Sequence, residues 1–214
     1  KDNKGTEIIK QAKKIPKENP YWDYIKMNMI DVSFDNLKKI NSDVVGWIKV
    51  NGTNINYPFV QSKDNKYYLT HSFNKSYNNA GWVFLDYRNN NINNRNTIIY
   101  AHGRTDKTMF RKVLNNGWIN NTNNYVIKIS TEKENSLWQI FSIYHIPTTN
   151  DYLQTEFKDE REYQRFLNIL KNRSNHNFNT SITSNDTILT LSTCYNDSEK
   201  MVVHAKLIKK QKKY

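Results

Sequence analysis

The sequence predicts a mainly β protein: a closed eight-stranded barrel with helices at its N-terminus and one helix between strands six and seven. Two observations predict it. From Val44 onward the chain breaks into about eight short runs rich in β-branched and aromatic residues, separated by turn-forming residues. With 14 Tyr, 9 Phe and 5 Trp among 214 residues, there is enough large side-chain volume to fill one substantial core. Eight strands suffice to close a sheet on itself and remove its exposed edges.

The elements follow in order. Residues 6–14 and 21–29 have helical character and are separated by Pro16 and Pro20, and Ser33 or Asp35 is placed to cap a short helix ending at Ile40. These segments form a helical extension, residues 1–43, packed on a barrel of residues 44–214, the whole making a single structural domain. Residues 45–50 and 54–60 flank Asn51-Gly52, a strong hairpin signal because both residues tolerate positive φ. Further strands are expected at residues 81–86, 96–101, 125–130, 137–146, 187–193 and 201–208. Two helices interrupt the series, a short one at residues 108–115 and a longer one at residues 159–173. In the longer one Tyr163, Phe166, Leu167 and Leu170 recur at helical spacing and mark one apolar face. That face predicts a helix packed across the barrel, placed where it can also wall a groove leading to the strand after it. The Asn-rich stretches around residues 89–96 and 115–124 read as surface loops.

Composition excludes several function classes. A single cysteine cannot form an internal disulfide, so the framework of small crosslinked secreted domains is absent, although an extracellular location is not excluded. The formal net charge is +12, but the basic residues concentrate in residues 10–17 and 206–213, without a recognition-helix signature or an aromatic RNA-binding motif. Nucleic-acid binding is therefore not expected; an anionic membrane or wall surface suits these ends better. No apolar run is long enough for a spanning helix. The chain begins at Lys1 rather than at an initiator methionine, so an N-terminal membrane anchor or signal removed from a longer precursor is expected. No pair of histidines or carboxylates has a metal-ligand spacing, so neither a metal nor another cofactor is expected.

The one cysteine, Cys194, ends the apolar run of residues 186–194, where a buried strand would deliver a thiol to the edge of the fold. A thiol attacks as the thiolate and needs a neighbouring base or positive charge. His102 ends another apolar run, residues 96–102, and a strand there would bring an imidazole to the same edge. Lys200 lies six residues past the thiol, just before the expected return strand. Each residue also has a structural reading: a small buried hydrophobe for Cys194, an ordinary strand-end histidine for His102. Of the other histidines, His71 and His176 lie in polar surroundings, and His145 and His204 fall in strands.

Several ordered segments resemble the sortase family, class B. Thr190-Leu-Ser-Thr-Cys194 resembles the family's nucleophile motif and Asn96-Thr-Ile-Ile-Tyr-Ala-His102 its histidine motif. Gly81-Trp-Val-Phe-Leu-Asp-Tyr-Arg-Asn89, Thr108-Met-Phe110 and Val202-Val-His-Ala-Lys-Leu207 also resemble class B sequences, and the matches span residues 44–208. The resemblance implies a cysteine transpeptidase on the extracellular face of the membrane, joining surface proteins to peptidoglycan. Cys194 would attack a Thr carbonyl in a sorting-signal peptide, His102 would act as acid and base, and an amine of a peptidoglycan precursor would accept the acyl group. One departure stands out. The family carries an arginine at the start of the last strand, and Lys200 occupies that position here, with Arg88 and Arg104 as possible surrogates. The competing readings are a general cysteine hydrolase and a non-catalytic basic surface-binding domain.

Overall fold

The computed structural model describes residues 21–90, 94–101, 117–194 and 198–214. The expected helices at residues 6–14 and 108–115 lie outside the described residues. Eight strands are present among those described: β1 (Val44–Val50), β2 (Asn56–Val60), β3 (Phe84–Leu85), β4 (Asn96–Ala101), β5 (Val126–Ser130), β6 (Glu134–Pro147), β7 (Ile188–Cys194) and β8 (Glu199–Lys212). They close into a barrel in the order β1-β2-β3-β4-β7-β8-β6-β5, with β5 returning to pair antiparallel with β1. The helices are α1 (Tyr21–Tyr24), α2 (Asp35–Ile40) and α3 (Glu160–Asn172), the last between β6 and β7 as predicted. None of the described helices is long and apolar enough to cross a membrane.

The pairing that matters most for the site is between β4 and β7. These two strands run parallel, with Asn96 opposite Ile188 and Ala101 opposite Thr193. Parallel neighbours cannot be joined by a tight turn and need a long crossover; here the crossover carries β5, β6 and α3. Because both strands point the same way, their C-terminal ends reach the same edge of the barrel.

Burial divides into a barrel interior and an outer layer. Ile48, Ile99, Ile127, Trp138, Leu189 and Val203 belong to the interior cluster. Phe141, Tyr144, Ile188 and Val202 instead meet Tyr163, Phe166, Leu167 and Leu170 of α3 in a second cluster. The helix thus buries the apolar face its spacing predicted, and β6 is buried on both faces over most of its length. Asp159 caps α3, its carboxylate accepting from the Glu162 N–H at 2.8 Å.

Three local expectations change. Neither Ser33 nor Asp35 caps α2: Phe34 holds the N-cap position without a side-chain cap, because its ring is buried with Val44, Val60 and Tyr68. Packing overrides the capping preference there. The strand expected over residues 81–86 shrinks to Phe84–Leu85. Gly81, at φ 64°, closes a turn onto the Asn78 carbonyl, and the Trp82 N–H is taken by the Tyr68 carbonyl. The helix expected over residues 21–29 ends at Tyr24, whose hydroxyl is tied to the Thr122 carbonyl at 2.6 Å while Met27 folds back onto the Tyr24 carbonyl. The hairpin signal holds: Gly52 has φ 71°, and a Cβ there would collide with the side-chain amide of Asn124, so both the backbone and the space demand glycine.

Candidate active site

Cys194 is the last residue of β7, and in the antiparallel ladder its backbone partner is Lys200 of β8. Opposite residues in such a ladder lie within about 5.5 Å of each other at Cα. On the other side of β7, β4 ends at Ala101, the residue preceding His102 in the chain. His102 and Arg104 lie outside the described residues. The strand ends expected to carry thiol and imidazole are therefore neighbours, and Lys200 is the cross-strand neighbour of the thiol position.

A cavity of about 270 Å³ opens at this edge. Its floor comes from the strands: Tyr100 and Ala101 of β4, Ser192 and Thr193 of β7, and Lys200 of β8. Its wall is the segment between β6 and α3, through Thr148, Thr149, Asn150, Tyr152 and Leu153, and Asn65, Leu69 and Phe84 complete the rim. The lining mixes aromatic and aliphatic surface with hydroxyl and amide groups, which suits an extended peptide better than a highly charged ligand. The expectation that the helix itself walls this groove is not met. No residue of α3 lines the cavity, because its apolar face is committed to β6, β7 and β8; the segment preceding the helix does that work.

The wall is held by a dense set of polar contacts. Arg88 donates two hydrogen bonds to Asp86, at 2.9 and 3.0 Å, and a third to the Leu153 carbonyl at 2.8 Å. Asp86 is fully buried and also accepts from Tyr100 Oη at 2.7 Å and Asn65 Nδ2 at 3.0 Å. Burial alone would push the Asp86 carboxyl up, but the hydrogen bonds from Arg88 and Tyr100 outweigh it and hold the group below the usual carboxylate range. Burial, with Asp86 beside it, pushes the Tyr100 phenol upward, so the pair is a carboxylate and a neutral phenol. Arg88 is thus a structural pairing residue at this edge.

Asn89, expected in a surface loop, and Asn96, at the junction of that loop with the strand of residues 96–101, are buried. Asn96 Nδ2 donates to the carbonyls of Tyr152 and Gln154 at 3.3 and 2.9 Å, and Asn89 bridges the Ile98 N–H and the Asn96 carbonyl. Tyr152 Oη meets Ser192 Oγ at 2.8 Å, tying the wall to the strand that ends at Cys194. Sequence reading missed these residues; the only signal was that Asn96 opens an apolar run rather than closing a polar one. Among the described residues no group of three or more His, Cys, Asp or Glu side chains is placed to hold a metal ion.

Comparison with known proteins agrees with this architecture. The sortase domain model matches residues 48–208. Sortase B of Staphylococcus aureus is 39% identical over 184 residues, covering 82% of this chain and 75% of that protein. A Staphylococcus aureus sortase B–substrate complex superposes with a TM-score of 0.75 at 38% identity, covering 82% of this chain and 84% of the other. The crystal structure of a sortase B complexed with triglycine gives a TM-score of 0.77 at 32% identity, covering 96% and 99% of the two chains. With that match, the ordered motifs and the closed eight-stranded barrel, the chain belongs to the sortase family of cysteine transpeptidases, in its class B branch.

Proposed function

We propose that this protein cleaves a C-terminal sorting signal of surface proteins after a Thr residue and joins the new acyl end to an amine of a peptidoglycan precursor. The Cys194 thiolate adds to the Thr carbonyl, and the negative charge moves to the carbonyl oxygen. Lys200, with backbone N–H groups near Cys194, stabilises that oxyanion. His102 as imidazolium protonates the departing amine, the C–N bond breaks, and a thioester remains on Cys194. The acceptor amine then attacks the thioester, His102 takes its proton, and the thiolate leaves. Water in place of the amine turns the same sequence into hydrolysis. The reaction belongs at the extracellular face of the cell membrane, where surface proteins and wall precursors meet.

The observation that carries this reading is the parallel pairing of β4 and β7, which sets the strand ends before His102 and at Cys194 side by side against a peptide-sized cavity that includes Lys200. The substrate in one sortase B complex and the amine-bearing triglycine in another support a peptide donor and an amine acceptor. The test is to incubate the protein with a sorting-peptide library, with and without an added amine, and to read products by mass spectrometry. Amine-joined product lost in Cys194→Ala and in His102→Ala supports the reading. Equal cleavage with and without amine, and no joined product, would replace it by a cysteine hydrolase; no cleavage at all would leave a basic binding domain.

A further inference from the structure

His204 of β8 is completely buried and plays no part in the reaction above. Its Nε2 lies 2.7 Å from Tyr144 Oη of β6, and its Nδ1 lies 2.8 Å from Thr190 Oγ1 of β7. Thr190 Oγ1 in turn lies 2.7 Å from Asn96 Oδ1 of β4. Every proton in this series can be assigned by counting. The carbonyls of Tyr152 and Gln154 can only accept, so Asn96 turns its amide nitrogen to them and its oxygen to Thr190. Thr190 has one proton and gives it to that oxygen. It therefore accepts from His204 Nδ1–H, which leaves Nε2 with a lone pair facing the Tyr144 hydroxyl proton. One tautomer of a neutral imidazole satisfies all four groups.

Both ends of the series grip the same piece of chain. At one end Asn96 holds the carbonyls of Tyr152 and Gln154. At the other, Arg173 lies over the Tyr144 ring, 5.8 Å from its centroid, and forms a bidentate pair with Asp151. We propose that the Tyr144–His204–Thr190–Asn96 relay is a positioning device: it crosses four barrel strands to fix the segment 151–154, the wall of the peptide cavity, against the strand that ends at Cys194. Thr190 and His204 are positioning residues that set how tightly the sorting peptide is held, an inference that rests on the proposed peptide substrate.

Thr190→Val keeps the shape and removes the hydroxyl, and Thr190→Ser keeps the hydroxyl. In the full chain, Thr190→Val orphans both Asn96 Oδ1 and His204 Nδ1–H and is expected to raise KM for the sorting peptide by about tenfold or more. Its kcat should stay within about twofold, as for a loss of binding common to ground and transition states. Amide exchange measured by mass spectrometry should quicken in a fragment covering residues 148–157 and not in one covering β1. Thr190→Ser should match the starting protein in both respects. Unchanged KM and exchange in Thr190→Val, an equal loss in Thr190→Ser, or faster exchange spread evenly over the barrel would each overturn the proposal. A starting protein that turns over no sorting peptide would refute the proposed function instead, and the exchange comparison would still decide whether the relay fixes the wall.

Discussion

Acid should destabilise this fold through His204 before it protonates the depressed carboxyls of Asp86 and Asp151. Burial, with a smaller contribution from the positive charge of Arg173, lowers the His204 pKa from its ordinary 6.5 to about 3. The unfolded chain therefore binds a proton near pH 6.5 that the folded chain refuses until about pH 3, so unfolding is favoured increasingly as pH falls through that window. Stability from this group is full above pH 6.5 and is lost by about 1.4 kcal/mol per pH unit below it. Between pH 6.5 and about 4.5 the loss should be on the order of 2–3 kcal/mol, a large part of the ~5–15 kcal/mol that holds a domain together. The depressed carboxyls of Asp86 and Asp151 stabilise the fold above their unfolded value of 3.8, so they add to the loss only at the acid end. Urea unfolding at half-unit pH steps measures the slope, with His204→Gln as the variant that cannot take up a proton there. Parallel pH dependences in the two proteins would refute the reasoning. So would an NMR titration of the folded starting protein in which the His204 ring signal moves with a midpoint near its ordinary value, a measurement that does not depend on the variant folding.

Other outcomes follow from the packing and the charges. Leu170→Ala, in the fully buried face of α3, should cost about 2–5 kcal/mol in urea unfolding without changing peptide preference, since the helix does not line the cavity. Arg88→Ala leaves the buried Asp86 carboxylate without its ion partner and should cost about 3 kcal/mol in the same assay, with Arg88→Lys restoring only part because lysine cannot make the bidentate contact. Lys200→Ala should lower kcat/KM for the sorting peptide about 10²–10³-fold if it serves the oxyanion, while Lys200→Arg should preserve or raise it. Equal rates for all three proteins would make Lys200 a strand-end residue with no part in the chemistry.

Much of the fold was legible because its signals are local. The run Asn96–Ala101 is a strand to the residue, and the helix expected over residues 159–173 is α3 with Asp159 and Arg173 as its caps. Both have periodicity and boundary chemistry within the segment itself. The strand at residues 81–86 shortened because its first backbone N–H groups go to turn and loop carbonyls, Gly81 to Asn78 and Trp82 to Tyr68, rather than to a neighbouring strand. The relay was illegible too: Asn96, Tyr144, Thr190 and His204 are ordinary residues until a barrel brings four strands together. His204 was read only as a strand histidine, satisfied or exposed, and Asn96 only as the start of an apolar run. The motifs did carry the likeness to the sortases, because residues bearing chemistry cluster at strand ends.

The resemblance expects an arginine where Lys200 stands, and the arginines placed near the cavity are committed elsewhere. Arg88 could serve the cavity only by releasing Asp86, a fully buried carboxylate, and the Leu153 carbonyl that anchors the wall. That exchange would orphan a buried charge to supply a surface one, and the cost of the first exceeds the gain of the second. Arg173 is similarly committed to Asp151 and Arg95 lies over the Tyr163 ring. Lys200 differs in position: it lines the cavity, and the β7–β8 register sets it directly opposite Cys194. A lysine offers a point charge on a flexible stem, so it can follow a carbonyl oxygen as negative charge develops but cannot hold the peptide with a planar fork. Under the proposed function, the work of fixing the peptide then falls more heavily on the wall. In this chain the wall is gripped from three directions, by Arg88, by Asn96 and by the Tyr152–Ser192 contact, and under the proposed function that rigidity would supply orientation that a lysine head group does not.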